Sequence, residues 1–178
     1  MRQFIEECLT PNYKIHWLDF IYFDPVLLNN IHKNMILRKF DNIYPRTFWI
    51  AIIEKEEDVY TILKKFTIYN LLPGFDKIRK EAEEEMLKAY DGDVIAECRP
   101  VVLNSSSEMG IICIIYRPDE LDGTNIAHES VHITDYYFEV TGMNGEEFSG
   151  GGNEGYAYLV GWAAGCFIKV MKEYGKTK

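Results

Sequence analysis

The residues best suited to do chemistry stand together at His128-Glu129-Ser130-Val131-His132. Side chains four apart lie one above the other on an α-helix, so both imidazoles would leave one face and could bind a single tetrahedral zinc ion, with Glu129 angled beside them. Metal-assisted hydrolysis asks for that arrangement, in which two nitrogens hold the ion and a neighbouring carboxylate moves a proton. Chance would write such a pentad into about one chain in a hundred of this composition, so its surroundings must decide. A third ligand is available in Glu154, which opens a second segment where Ala157, Gly161 and Gly165 recur every four residues. Small side chains on that face would let the two helices approach closely, bringing a carboxylate to an ion held by the first. Asp135, Glu139, Glu146 and Glu147 are the competing acids. The longer pattern H-E-x-x-H-x-x-G-x-x-H is not met, because Asp135 stands at its glycine position and Phe138 at its third histidine.

These residues need elements to position them. The pentad lies in a segment that reads as a helix beginning at Thr124 or Asn125, either of which could cap it, and running to Thr141, with Gly142 as its left-handed stop. A second helix, capped by Asn153, is expected from Glu154 to about Tyr174, before Gly175; a polar, Gly-rich connection over residues 142–152 joins the two. Upstream, residues 14–22 and 47–53 read as strands, and residues 58–69 and 76–90 as helices, the latter with Ile78, Ala82, Met86 and Ala89 on one stripe. Residues 93–103 and 110–116 read as strands joined by a polar turn at 104–107. Strands mixed with helices predict an α+β class: one domain over residues 1–178, with a small mixed sheet packed against helices.

The chain has 178 residues, 47% hydrophobic and 26% charged, which is the size and make-up of one globular domain. Lys and Arg number 19 against 28 Asp and Glu, a net charge of -9. No cationic surplus exists to hold phosphates, so nucleic acid is not an expected partner. Glu6 and Glu7 interrupt the N-terminus before any apolar run, unlike a secretory signal, and the uncharged run over residues 155–168 falls short of the ~20 residues that span a bilayer. A cytoplasmic protein without membrane contact is expected. Cys8, Cys98, Cys113 and Cys166 form no C-x-x-C pair and read as buried free thiols, while His16 and His32 read as structural or surface groups.

Residues 128–162 resemble the gluzincin branch of zinc metallopeptidases, whose ligands are the two histidines of the pentad and a glutamate from a following helix. Thr134-Asp135-Tyr136 and Asn153-Glu154 also resemble thermolysin-like enzymes. Ala127-His128-Glu129, together with Asn153-Glu154-Gly155-Tyr156-Ala157-Tyr158-Leu159-Val160-Gly161-Trp162, is similar to small metallopeptidases of phage and prophage genomes. The resemblance implies a zincin-like domain and zinc held by His128, His132 and Glu154. It also implies a peptide or protein substrate and Glu129 as general base toward a water that the ion activates. The developing oxyanion needs a further donor; Tyr156, Tyr158, Arg117 or His16 could supply it, and Tyr158 joins Glu129 as a catalytic candidate. There is one departure: thermolysin-like enzymes carry an acid four residues after the ligand glutamate, where this chain has Tyr158. In enzymes of this type an extended substrate pairs with the strand preceding the metal helix, here residues 110–116, although their isoleucines make both faces apolar. Two other functions fit the same residues: a non-catalytic module stabilised by metal, and a zinc amidase acting on cell-wall peptides.

Overall fold

The computed structural model describes residues 35–41, 46–68, 75–143 and 154–177. The strand expected over residues 14–22, Cys8, His16, His32, Glu146, Glu147 and the expected cap Asn153 lie outside them. The elements in chain order are β1 (Ile36–Phe40), β2 (Thr47–Ile52), α1 (Glu56–Lys65), β3 (Phe66–Ile68), α2 (Phe75–Asp91), β4 (Ala96–Leu103), β5 (Glu108–Ile115), α3 (Gly123–Thr141) and α4 (Glu154–Thr177). No described helix is long and apolar enough to cross a membrane.

The strands form one mixed sheet in the order β1-β2-β5-β4-β3. Among the described residues β2 and β5 run parallel and the other pairs are antiparallel. A parallel pair at the centre of a sheet is covered on both faces, which is why β2 and β5 are continuous apolar runs rather than alternating ones. Phe48, Ile50, Ile52, Ile111 and Cys113 face one core, completed by Ile133 and Tyr137 of α3 and by Ala163, Phe167 and Val170 of α4. Trp49, Ala51, Ile112 and Ile114 face a second core, made with Val59 and Ile62 of α1 and with Ala82, Met86 and Ala89 of α2. The result is a mixed α+β fold in three layers, the expected class.

Several boundaries differ from the sequence reading, each for a local reason. Phe66 and Ile68 do not extend α1 but form β3, buried on either side of exposed Thr67 and paired with Leu103 and Val101. Asn104 stops the helix there, its amide bonding Lys65 O at 2.8 Å and its side chain Lys64 O at 3.0 Å. The cap of α3 is Asp122, not Thr124 or Asn125: its Oδ1 accepts from the amides of both, at 2.8 and 2.9 Å, while Asn125 Oδ1 accepts from the Asp122 amide at 3.1 Å. This is a reciprocal capping box. Gly142 is left-handed as expected, with φ 67°. Gly175 does not end α4, which continues to Thr177.

β5 does not serve as a substrate-pairing edge, because β2 and β4 occupy both its sides. Besides the outer sides of β1 and β3, part of β4 is open among the described residues. There β3 covers only residues 101–103, so residues 96–100 have no second strand among the described residues. Pro100, which lacks an N–H, sits on that stretch, where an edge tolerates it. The parallel β2–β5 contact is tightest at Gly110, opposite Thr47. A Cβ there would overlap the Thr47 carbonyl and lie 2.5 Å from Trp49 Cζ3. Gly110→Ala should therefore cost at least ~1–3 kcal/mol, seen as a lower urea midpoint at unchanged slope. An unchanged midpoint would contradict this close approach.

Candidate metal centre

α3 follows the central strand and is built to hold one face inward. Ile133 and Tyr137 are fully buried, and Tyr137 Oη donates to Arg46 O at 3.0 Å, tying the helix to the start of β2. Its buried hydroxyls are satisfied within the helix, Ser130 Oγ by Ile126 O at 2.7 Å and Thr134 Oγ1 by Ser130 O at 2.8 Å. The opposite face carries His128, His132 and Asp135, all exposed. The two imidazoles meet edge to face, with centroids 4.6 Å apart, and their Nε2 atoms lie 3.0 Å from each other. Two bare nitrogen lone pairs do not converge without something between them, so either one ring holds a proton there or a cation takes both. Nitrogens ~2.0–2.1 Å from one tetrahedral zinc ion lie about 3.3 Å apart, so the pair fits that ion with a small adjustment.

Glu129, about 100° further round the helix, points the other way, toward the sheet. It is 6% exposed, and its Oε2 is enclosed without a hydrogen-bond partner among the described residues. Its neighbours are Cys98 of β4 and Cys113 of β5, and the donor atoms of all three side chains lie within 4.8 Å of one another. Cys98 Sγ also donates to the backbone oxygen of Glu129 at 3.7 Å. Burial pushes the Cys98 thiol well above its ordinary pKa, with Cys113 and Glu129 adding to the rise, and burial raises Cys113 too.

The first turn of α4 comes close to the histidine face. Tyr156 Oη donates to Asp135 Oδ1 at 2.7 Å, one turn beyond His132, and its ring packs on Phe138 at 5.2 Å between centroids. Burial, then the bond to Asp135, pushes the Tyr156 hydroxyl up to about 12. Glu154 and Tyr158 stand four apart on the outer side of α4, Tyr158 58% exposed. The structure thus brings His128 and His132 together, but Glu154 does not join them: among the described residues, the group of three ligand-bearing side chains with mutually close donors is Cys98, Cys113 and Glu129. Arg117 is turned elsewhere, its guanidinium donating to Gly92 O at the end of α2.

The stripe of Ala157, Gly161 and Gly165 does not make the close packing of α4. Ala157 and Gly161 are exposed, and a Cβ at Gly161 or Gly165 would meet nothing within 4 Å. Close packing is made instead by Leu159, Ala163, Phe167 and Val170 on the opposite side. The thiol pair was also missed in sequence, although a signal for it existed. Cys98 and Cys113 are equidistant from the turn at residues 104–107, so a hairpin closed there sets them face to face, as the register does.

Protein-family models, curated proteins and solved structures contain no match to this chain.

Proposed function

We propose that the chain is a single zincin-like domain that hydrolyses peptide bonds with zinc as its cofactor. The observation that carries the reading is the pair of exposed Nε2 atoms 3.0 Å apart on α3, with a buried carboxylate one residue away. His128 and His132 would hold the ion, and Glu154, which stands apart from them here and two residues before the Tyr156 that bonds Asp135, would have to turn toward the ion to serve as the proposed third ligand. When bound, zinc would supply a Lewis acid that polarises the scissile carbonyl and acidifies water.

The remaining work falls to the chain's own residues. Glu129, buried toward the sheet here with one oxygen unpartnered among the described residues, would have to turn outward to take the proton released as water attacks the carbonyl carbon and give it to the leaving nitrogen as the C–N bond breaks. Tyr158 is proposed to donate its exposed hydroxyl to the developing oxyanion. Tyr156 holds Asp135, which keeps that acid beside His132 and fixes the start of α4 against α3. An extended peptide would pair with the uncovered stretch of β4 at residues 96–100, the strand whose Cys98 touches Glu129.

A specific observation favours a second reading: Glu129 is enclosed against two thiols, as in a module where metal serves structure alone. The deciding experiment is a peptide-library digest with the zinc-reconstituted chain. Cleavage that chelation abolishes and zinc restores is expected, and no cleavage across the library would favour the structural module. Within the same system, Glu154→Ala should weaken zinc binding by more than the ~10–100-fold typical of outer-shell losses. Asp135→Ala, Glu146→Ala and Glu147→Ala are the comparisons, and equal zinc affinity across the four would remove Glu154 from the ligand set.

A further inference from the structure

The structure assigns a second metal site to Cys98, Cys113 and Glu129, one suited to a thiophilic divalent cation such as Zn2+ or Co2+ and separate from the histidine pair. It rests first on the hairpin. Tyr116 N donates to Ile95 O at 2.9 Å, so in this antiparallel ladder the odd-numbered residues of β4 make the hydrogen-bonded pairs. The Cys98–Cys113 pair is then a non-hydrogen-bonded one, the kind whose side chains stand closest, with Cα atoms about 4.5 Å apart. Both thiols project to the face covered by α3, and α3 brings Glu129 onto them.

The donors suit a metal in distance and in chemistry. Two thiolates at ~2.3 Å from a tetrahedral ion lie about 3.8 Å apart, and a thiolate and a carboxylate oxygen somewhat less, so the observed limit of 4.8 Å encloses such a site. Thiolates select soft or borderline ions, which sets this group apart from the hard oxygen cages that take magnesium or calcium. The second, independent observation is Glu129 Oε2, buried without a partner among the described residues. A carboxylate oxygen enclosed beside two sulfurs is costly unless a cation or proton satisfies it. Cys98 is part-buried and Cys113 buried.

The site stands whether or not the histidine pair holds zinc. If it does, Glu129 belongs to both centres, and an ion held by the thiols withdraws it from proton transfer. The test uses the full chain, kept reduced with a phosphine, with Co2+ as the probe and His128→Ala, His132→Ala as the background, so that the histidine site cannot contribute. A thiolate-to-cobalt charge-transfer band in the near ultraviolet is expected at one equivalent, lost in Cys98→Ala and in Cys113→Ala, and retained in Cys8→Ala and Cys166→Ala. Glu129→Gln, which keeps both thiols and the local volume, should weaken the titration by about tenfold or more. Circular dichroism on each variant shows that the fold persists. No band in the folded histidine-free chain with its thiols reduced overturns the site, as does a band that survives loss of either Cys98 or Cys113. Neither result bears on peptide hydrolysis at His128 and His132, which the library digest tests separately.

Discussion

Glu129→Gln should leave the fold and the zinc affinity of the histidine pair nearly intact while peptide turnover falls by about 10²–10⁴-fold, the usual range for a general base. The two effects separate because the proposed general base moves a proton without being a ligand of the ion that His128 and His132 would hold. An amide of the same shape fills the space against Cys98 and Cys113 but cannot accept a proton. The amide is neutral and replaces a carboxylate enclosed without a partner among the described residues, so the metal-free variant should be no less stable than the parent. The measurement is kcat/KM on a peptide found in the library digest, beside zinc affinity and a urea melt of the same preparation. Turnover equal to the parent's would sink the assignment of Glu129, and it would also expose a contaminating protease.

His128→Ala combined with His132→Ala should abolish the zinc-dependent stabilisation that this pair provides. Both rings lie on the outer face of α3 and support no core contact, so the metal-free variant should melt at or slightly above the parent; alanine is the better helix former by some tenths of a kcal/mol per site. Zinc at 100 times its dissociation constant adds ~2.7 kcal/mol to a chain that binds it only when folded, and the variant should gain none of this. Cys98→Ala and Cys113→Ala in both chains confine the comparison to the histidine site. An equal rise in melting temperature for both chains would show that these histidines hold no ion.

Features written in adjacent residues were the legible ones. The pentad and its helix, the left-handed Gly142 and the turn at residues 104–107 depend on spacing or on a single backbone preference, and all are found. What escaped depended on distant partners. Phe66 and Ile68 fit a helical stripe until β4 offers them a ladder. In α4 a row of small residues and a row of bulky ones share the same period, so periodicity could not say which row meets a neighbour; burial falls on Leu159 and Phe167 rather than on Gly161. The edge available to a substrate required the strand order, since β5 looks open in sequence and lies at the centre. The position of Glu154 relative to the histidines likewise depends on how α4 packs, not on any spacing in the chain.

The backing of α3 has a consequence for how long an ion would stay. Ile133 and Tyr137 bind this helix to the central strands, so its amides should exchange with solvent only when the sheet opens, at close to the full unfolding free energy. The first turn of α4 is tied to α3 through Tyr156, but Glu154 stands exposed at its very end, and helix ends open at little cost. With zinc held as proposed, release begins by fraying at that end, the carboxylate leaving before either imidazole. Residence time is then governed by a local opening of a few residues, and changes that stiffen the core would raise the melting temperature without slowing the loss of metal.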